Sequence, residues 1–567
     1  MKNKLLAVAL CVCLTGSLLG CGGQPASSGD PSESGSETDV RSDSETGIGS
    51  DGETDGGNDN ETGAGSDGGT GSGSDEGTGS SQAASEPIAE PVVREADFTG
   101  IETASNGARV SVHDPSIKVF DGKYFIYGSH MTGATSEDLH VWKYIGNGYT
   151  SDNALFEDLF NEELTIFDYS GDYGNGSYAV WAEDVIYNES MGKYVMYFCT
   201  SSTYIKSNLC YATADAPEGP YVYQGELLYS GFTAEDIDQT DVYEYVDQAY
   251  AEETYLRGNG QYDNQDWPNC IDPAPFYDAD GRLWMTYGSW SGGIFLLELD
   301  PQTGLVIHPE ADPENEVDPY FGKRLLGGGH QSIEGPYIQY DADTGYYYLY
   351  LSFGSLERTG GYQIRVFRSD SPDGEYVDMG GQRPVKGYNN AYYGLKLSGN
   401  YYLPSCKYAY MATGGMSTFI DTDGKQYMCY HTRFNNGNEY HEPGVKQIFM
   451  NQEGWPVLAP YTTSGETISE SGYDRADLVG EYFFINQGMK IDSEISQPVM
   501  IDLNEDGTVT GSVVGTWTVA EGAPYVHITY DGHEYSGVFC AMKDQAGTEV
   551  MTFSAVGVNE SIWGVKY

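Results

Sequence analysis

Alternating apolar and polar positions dominate the chain from about residue 98 to its end. Short runs in which every second residue is aromatic or aliphatic are separated by turns rich in Gly and Asp. A period of two is typical of β-strands whose two faces meet different surroundings. The chain also contains 48 Tyr and 74 Gly among its 567 residues. Together these features predict an all-β protein with many short strands.

One hairpin pattern occurs five times: a turn that contains Gly, followed by alternating aromatic residues. The turn glycines are 70, 89, 64 and 79 residues apart, which leaves room for four strands per repeat. A repeat of this length predicts the blades of a five-bladed β-propeller. A β-sandwich, the alternative, would not repeat at this period. The five hairpins are residues 121–127, 191–197, 280–287, 344–350 and 423–430.

A carboxylate precedes four of the five hairpins at a similar distance. Asp114, Asp184, Asp272 and Glu334 lie 8, 8, 9 and 11 residues before their turn glycines. Since the first strand of a blade is the innermost, we expect these side chains to converge on the propeller axis. Mutual repulsion then keeps one group protonated while another is ionised, as hydrolysis of a glycosidic bond requires. Calcium binding and the capping of turns by single Asp residues are the alternatives.

The residues around these acids resemble motifs of glycoside hydrolase family 43, and within it the endo-α-1,5-L-arabinanases. The resemblance implies that Asp114 is the general base, Asp272 orients and tunes the acid, and Glu334 is the general acid of an inverting hydrolase. Glu183 stands where the family usually has Pro, so Asp184 is given no catalytic role and either shapes the site or anchors a strand. The motifs are HDPSI at 113–117, WAEDV at 181–185, NCIDPAP at 269–275 and SIEGP at 332–336.

The resemblance also implies contacts to the sugar. Asn269 lies shortly before Asp272, and Ser289 and Trp290 follow the third hairpin, where the family binds the central sugar. Trp181 and Trp290 offer apolar ring faces on which a sugar can stack. Packing in the core is the alternative for either Trp.

His431 corresponds to the His that holds a central calcium ion or its water shell in related arabinanases. The converging acids support a cation, because no Lys or Arg occupies the matching positions of the repeats. A hard cation prefers oxygen ligands and would offset the carboxylate charge. The alternative is a purely structural histidine.

The N-terminus carries a targeting signal. Lys2 and Lys4 precede a short apolar run that ends in Leu-Leu-Gly-Cys at 18–21. This is the pattern of a bacterial lipobox, so residues 1–21 are predicted to be a lipoprotein signal peptide with Cys21 as the lipidated residue. An ordinary signal peptide is the alternative.

Residues 22–97 are predicted to be a disordered acidic Gly/Ser linker. Residues 21–90 contain 16 acids and one base, and residues 22–90 contain no aromatic side chain. Such a composition cannot bury enough apolar surface to fold. The net charge of −57 for the whole chain excludes nucleic acid as a partner. We therefore expect an extracellular, cell-surface monomer that meets the membrane only through its lipid anchor.

Residues 98–462 are predicted to form the propeller and residues 463–567 a small C-terminal β-barrel, which either binds carbohydrate or braces the propeller. The acidic segment 232–262 is interpreted as an insertion that lines one end of the cleft. The leading hypothesis is internal cleavage of plant α-1,5-L-arabinan. The alternatives are an exo-acting α-L-arabinofuranosidase or β-xylosidase on the same fold, and a non-catalytic glycan-binding lipoprotein.

Overall fold

The strands form five sheets followed by one closed barrel. This is the arrangement in the computed structural model, which describes residues 90–104, 110–157, 166–172, 178–387 and 389–567. It confirms the prediction of an all-β, five-bladed propeller with a C-terminal β-barrel. The predicted signal peptide, Cys21 and the linker as far as residue 89 lie outside the described residues. Within the described ranges, no helix has the length and apolar character needed to cross a membrane.

Each predicted hairpin joins the two innermost strands of a blade. The first two blades comprise β1 (Ser116–Phe120), β2 (Lys123–Gly128), β3 (Thr132–Ser136), β4 (Lys143–Gly146); and β5 (Phe156–Glu157), β6 (Ala179–Asn188), β7 (Lys193–Ser201), β8 (Ser207–Ala214), β9 (Tyr221–Ser230). The third comprises β10 (Ala274–Tyr277), β11 (Leu283–Tyr287), β12 (Ile294–Leu299), β13 (Val306–Ile307), β14 (Val317–Asp318), β15 (Gly322–Leu326). The last two comprise β16 (Ile333–Asp341), β17 (Tyr346–Phe353), β18 (Gln363–Ser369), β19 (Leu395–Ser398); and β20 (Tyr410–Ile420), β21 (Gln426–Phe434), β22 (Glu442–Met450), β23 (Pro456–Leu458).

The innermost strand of each blade belongs to the inner ring of the propeller. β1 contacts β6, β6 contacts β10, β10 contacts β16, β16 contacts β20, and β20 returns to β1. The last step is fixed by Ser417, whose hydroxyl accepts the Ile117 N–H at 2.9 Å and donates to the Pro115 carbonyl at 2.7 Å. The position that lacks an acid in the fifth repeat is therefore used to close the ring.

The segment 232–262 contains short helices between the second and third blades. They are a 3-10 turn (Ile237–Gln239), α1 (Val242–Tyr245) and α2 (Gln248–Thr254). Phe232, Val242, Tyr255 and Tyr262 are buried in one apolar cluster with residues of both blades. The segment thus contributes to the packing between blades.

The barrel packs against the fourth and fifth blades. Trp563 and Val538 share an apolar cluster with Tyr401, Val457 and other propeller residues. Its strands are β24 (Gly480–Asn486), β25 (Val499–Leu503), β26 (Thr508–Gly511), β27 (Gly515–Val519), β28 (Tyr525–Tyr530), β29 (His533–Lys543), β30 (Glu549–Gly557) and β31 (Glu560–Lys566). A third short helix, α3 (Arg475–Leu478), precedes them, and two more 3-10 turns lie in the propeller at Pro313–Asn315 and Asn390–Tyr392.

The end of the predicted linker is held against this barrel. Arg94 pairs with Glu481 at 2.9 Å and with Asp502 at 2.7 Å, and the Val92 N–H donates to the Gly511 carbonyl.

Candidate active site

Sharp backbone bends present the three predicted catalytic carboxylates. Asp114 and Asp272 lie just before β1 and β10 with left-handed φ values of 48° and 56°. Glu334 lies in β16 at an irregularity in strand pairing, beside Gly335 with a φ of 59°. Left-handed backbone is costly for residues other than Gly and often occurs at functional sites. The three side chains are close enough for their charges to interact, so the predicted convergence holds for them.

Asp114 is held in its ionised form. Its Oδ2 atom accepts hydrogen bonds from His113 Nδ1 at 2.8 Å and from the Ser129 hydroxyl at 2.7 Å. Burial alone would raise the pKa of Asp114, but the His113 ring, His431 and the Ser129 hydroxyl outweigh it and hold that pKa well below its usual range. An ionised carboxylate in this position can accept a proton from water.

Glu334 has the opposite character. Burial raises its pKa, and the charge of Asp114 adds to the effect, although three hydrogen bonds to the carboxylate oppose it. Tyr362 donates to Oε1 at 2.7 Å, and Trp290 and Ser289 donate to Oε2 at 2.7 and 3.1 Å. A carboxyl group with a raised pKa can remain protonated and donate a proton.

Asp272 lies beside the acid. Its Oδ2 atom accepts the Gly335 N–H at 3.1 Å, so it holds the backbone that follows Glu334. Burial, and then the charge of Glu334, raise the pKa of Asp272 well above its usual value. The pair therefore favours having a proton on one of its members.

The fourth acid of the repeat does not join this group. Asp184 is buried, and its Oδ1 atom pairs with Lys118 Nζ at 2.7 Å and accepts the Ser116 hydroxyl at 2.7 Å. Lys118 also donates to the Tyr337 hydroxyl at 2.7 Å, so this cluster joins the inner strands of the first, second and fourth blades. The expected convergence of all four acids on the axis stays a prediction for Asp184, whose carboxylate is paired with Lys118, on the same inner strand as Ser116.

Glu183, the departure from the family pattern, is fully buried at 0% exposure. Its Oε1 atom accepts the Met131 N–H at 2.7 Å, and its Oε2 atom has no hydrogen-bond partner within the described part of the chain. Burial raises the pKa of Glu183 well above its usual value, and the charge of Asp114 adds to this. Glu183 thereby fixes the loop that carries Ser129, and Ser129 in turn bonds Asp114.

His431 lies directly beside Asp114. Its Nδ1 atom is 3.7 Å from Asp114 Oδ1, and its fully buried ring stacks on that of His113 with centroids 4.2 Å apart. Gly415 makes this approach possible, because a Cβ atom there would lie 2.5 Å from Asp114 Oδ1 and 2.7 Å from His431 Nδ1. Burial, and then the nearby His113 ring, hold the pKa of His431 well below its usual value.

The predicted sugar contacts separate into two groups. Trp181 and Trp290 are partly exposed, and the Trp181 ring stacks on Tyr204 with centroids 6.1 Å apart. Ser289 and Asn269 are buried, and each has a partner in the protein: Glu334 for Ser289, and the Tyr204 carbonyl for Asn269. The two Trp rings can therefore meet a sugar face, whereas Ser289 and Asn269 position their neighbours. Substrate binding by these four residues stays a prediction.

Sequence reasoning missed several residues that set the chemistry of this site. Tyr362 lies in no repeat motif, and Ser129 and Lys118 are ordinary residues of the first blade. His113 stood inside a quoted motif but was given no role. Only His113 had a signal, its position directly before the predicted base.

Comparison with known proteins gives consistent results over the two folded parts. Residues 257–456 match the profile of Glycosyl hydrolases family 43, and residues 460–564 match that of a C-terminal lipocalin-like domain.

The chain is also similar to characterised proteins over most of its length. It is 38% identical over 475 residues to the extracellular endo-α-(1→5)-L-arabinanase 2 of Bacillus subtilis, covering 81% of this chain and 93% of that protein. It is 36% identical over 472 residues to the extracellular endo-α-(1→5)-L-arabinanase of Thermotoga petrophila, covering 80% and 93%. The crystal structure of the endo-1,5-α-L-arabinanase from Thermotoga petrophila superposes with a TM-score of 0.70 at 34% identity, covering 84% of this chain and 100% of that one.

Proposed function

Since the chain belongs to glycoside hydrolase family 43, we propose that it is an extracellular enzyme that hydrolyses α-1,5-linked L-arabinan at internal bonds. The substrate and the endo action follow the relatives, which are endo-α-(1→5)-L-arabinanases. The observation that carries the hydrolysis is the split in the pKa values of two carboxyl groups, low for Asp114 and raised for Glu334. Such a pair is what acid and base catalysis of glycoside hydrolysis needs.

The mechanism follows from the contacts of the two groups. Glu334, protonated, donates its proton to the oxygen of the leaving sugar. Asp114, ionised, accepts a proton from the water that attacks the anomeric carbon from the other side. The C–O bond to the leaving sugar breaks as the new C–O bond forms, and the configuration inverts. Asp272 acts through Glu334 and positions its backbone.

Endo action is tested by the products of linear debranched arabinan. We expect a mixture of arabino-oligosaccharides early in the reaction, with little arabinose. Arabinose as the sole early product would indicate an exo-acting arabinofuranosidase, and release of xylose from xylo-oligosaccharides would indicate a β-xylosidase. No hydrolysis of any of these substrates would favour a glycan-binding lipoprotein.

Inversion is tested by proton NMR of the first-formed anomer. An inverting enzyme needs a separation of about 6.5–9.5 Å between its carboxyl groups so that water fits between sugar and base. The first product from an α-arabinoside should then be the β-anomer. A product of α configuration would contradict the roles given to Asp114 and Glu334.

A cation beside His431 is the second part of the proposal. His113, Asp114 and His431 offer ligand atoms that lie within 4.8 Å of one another, and the buried Nε2 atom of His431 has no hydrogen-bond partner among the residues that the structure describes. The Asp114 N–H donates to His431 Nδ1 at 3.3 Å, so a neutral ring that accepts this bond carries its proton on Nε2. A cation on Nε2 would require that proton to move to Nδ1 and this bond to be given up. Calcium is our choice because carboxylate and water oxygens suit it. Its positive charge would favour the ionised form of Asp114.

Metal content and activity after chelation test this site. We expect the protein to lose activity with a chelator, to regain it with calcium, and to lose bound metal in a His431→Ala variant. His527, a partly exposed residue of the barrel, gives the matched control, since His527→Ala should keep the metal. Full activity in metal-free protein would leave the site as a histidine cluster alone.

Anchoring through Cys21 is the third part. The lipobox pattern at 18–21 and the acidic composition of residues 22–90 support a lipoprotein held at a distance from the cell surface. Cys21→Ala should move the protein from the membrane fraction to the medium. An unchanged membrane fraction would contradict lipidation of Cys21.

A further inference from the structure

The segment that leads into the fourth blade carries His330 on an unusual backbone. Gly327, Gly328, Gly329 and His330 follow one another between β15 and β16 with left-handed φ values of 86°, 107°, 77° and 55°. Glycine adopts such a backbone freely, whereas a residue with a Cβ atom is strained in it. A fourth glycine would therefore fit this backbone better than the histidine that the chain has at position 330.

Hydrogen bonds to other loops hold this segment in place. The Gly329 N–H donates to the Gln265 carbonyl at 2.8 Å. The His330 N–H donates to the Ser291 carbonyl at 2.8 Å, and Ser291 directly follows Trp290 in the chain. The backbone of His330 is thus fixed before any ligand binds, so little conformational entropy remains to be lost on binding.

The side chain of His330 is exposed and makes no polar contact within the protein. Its ring nitrogens have no hydrogen-bond partner among the residues that the structure describes, and its ring lies 5.5 Å from that of Trp290, centroid to centroid. A molecule bound beside Trp290 can therefore reach the His330 ring. Backbone strain that persists without such an internal contact is typical of functional sites.

The position of His330 relative to Glu334 indicates which sugar it meets. The Trp290 indole N–H donates to Glu334 Oε2 at 2.7 Å, so the His330 ring lies on the side of the proposed acid. In an inverting hydrolase the acid gives its proton to the leaving sugar, while the base and the water act on the opposite face of the sugar that reacts. A ring beside the acid therefore meets the leaving sugar.

The chemistry of the two rings matches a sugar. Although the His330 ring is exposed, its neighbours remove part of its water, and this partial burial holds the pKa of His330 below its usual value. A neutral imidazole offers one hydrogen-bond donor and one acceptor, and a sugar hydroxyl can both accept and donate. Trp290, which is partly exposed, adds an apolar ring face.

We propose that His330 is a substrate-binding residue that, together with the ring of Trp290, holds the leaving sugar of the arabinan chain. The proposal rests on the proposed function, because it takes Glu334 as the acid. It adds a residue that acts on the far side of the bond to be cleaved. A site for the leaving sugar favours cleavage within a chain over release of a small group that is not a sugar.

The test compares two substrates that differ in what leaves. A sugar leaves from linear arabinan, whereas the nitrophenol released from a 4-nitrophenyl α-1,5-arabinotrioside is measured directly. His330→Gly should lower the ratio of kcat/KM for arabinan to kcat/KM for the nitrophenyl substrate about three- to tenfold, as expected for the loss of one hydrogen bond. Glycine relieves the strained backbone, so the melting temperature should not fall. His533→Ala, at an exposed barrel position, is the matched control and should keep the ratio of the parent.

The pH profile separates a contact to the leaving sugar from an effect on the acid. A residue that acts only through Trp290 on Glu334 would also lower this ratio, since nitrophenol needs little protonation, but it would shift the basic limb of the kcat/KM profile. We expect that limb to stay in place in His330→Gly. A shifted limb, or a ratio equal to that of the parent, would overturn the role of His330 alone. A parent protein that does not hydrolyse arabinan would contradict the proposed function itself.

Discussion

At the scale of single residues, Glu334 depends on a balance between burial and hydrogen bonding. Burial raises its pKa, while Tyr362, Trp290 and Ser289 donate hydrogen bonds that favour the ionised form. Glu334 must be protonated to act as an acid, so activity is lost as the pH rises through its pKa. Asp114 must be ionised, so activity is lost at low pH as Asp114 becomes protonated.

Tyr362→Phe removes one of the donors that lower the pKa of Glu334. The pKa should rise, and the basic limb of the kcat/KM profile should move to higher pH. Tyr350→Phe is the matched control, since Tyr350 is equally buried in the same blade and its hydroxyl has no partner among the described residues. A Tyr362→Phe profile that overlays that of the parent would contradict the role given to this hydrogen bond.

Glu183→Ala should change the pKa of Asp114, the proposed base, although Glu183 itself does not contact the substrate. Loss of the bond to the Met131 N–H frees the loop that carries Ser129, and the pKa of Asp114 then rises. The acidic limb of the kcat/KM profile should move to higher pH. At low pH kcat/KM should fall about tenfold or more, since a hydrogen bond to a charged group is worth about 1.5–3 kcal/mol.

Glu183→Gln keeps an acceptor oxygen in the same place and should retain the parent profile. Ser129→Ala should reproduce the shift of Glu183→Ala. If Glu183→Ala lowered activity equally at every pH, Glu183 would have a general structural role only.

At the scale of elements, the inner strands carry both the site and the closure of the ring. Asp114 lies just before β1. The Pro115 carbonyl and the Ile117 N–H, which follow it, are both bonded to Ser417 of β20. No strand from the first repeat is built into the last blade among the described sheets. Side-chain bonds between neighbouring inner strands therefore help hold the first and last blades together.

Ser417→Ala tests this closure. It leaves the buried Ile117 N–H and Pro115 C=O without their partner, at a cost of about 1–3 kcal/mol for each group. The melting temperature should fall by several degrees, with the far-UV circular dichroism unchanged. Ser471→Ala, at an exposed position, should leave the melting temperature within error. Equal melting temperatures for the two variants would show that Ser417 does not stabilise the ring.

At the scale of the whole molecule, Lys446 lies buried at the junction of propeller and barrel. Its Nζ atom donates to the Pro460 carbonyl at 2.5 Å and lies over the rings of Trp563 and Tyr401, at 4.2 and 4.5 Å from their centroids. Burial holds the pKa of Lys446 well below its usual value. The two domains are therefore joined across a group whose charged form is penalised.

The free-energy cost of burying the charged form of Lys446 makes the stability of the protein depend on pH. Between the lowered pKa of the folded protein and about 10.4 in the unfolded chain, the unfolded state binds more protons, so stability rises with pH. Lys446→Met lacks this dependence. The melting temperature of Lys446→Met minus that of the parent should be largest near pH 6 and should fall towards pH 9. For Lys543→Met, at an exposed barrel position, the difference from the parent should be the same at every pH. A constant difference for Lys446→Met would mean that Lys446 stays charged.

The sequence by itself determined the fold class and predicted the positions of the candidate catalytic carboxylates. A repeated hairpin predicts a propeller because strand alternation is local, and an acid at the same place in successive repeats must lie at the same radius. Asp114, Asp272 and Glu334 could therefore be found before any contact was known.

Only the tertiary structure decided which of the four acids pairs with a lysine and in which direction the pKa of each of the other three is shifted. Asp184 fits the repeat as well as Asp114 does, but Lys118 neutralises it. Tyr362 sets the properties of Glu334 across 28 residues of chain, and Lys396 of the fourth blade reaches the Gln487 carbonyl oxygen only when the barrel is packed in place. A pKa depends on distances and burial between residues far apart in the chain, and no local pattern in the sequence records those distances.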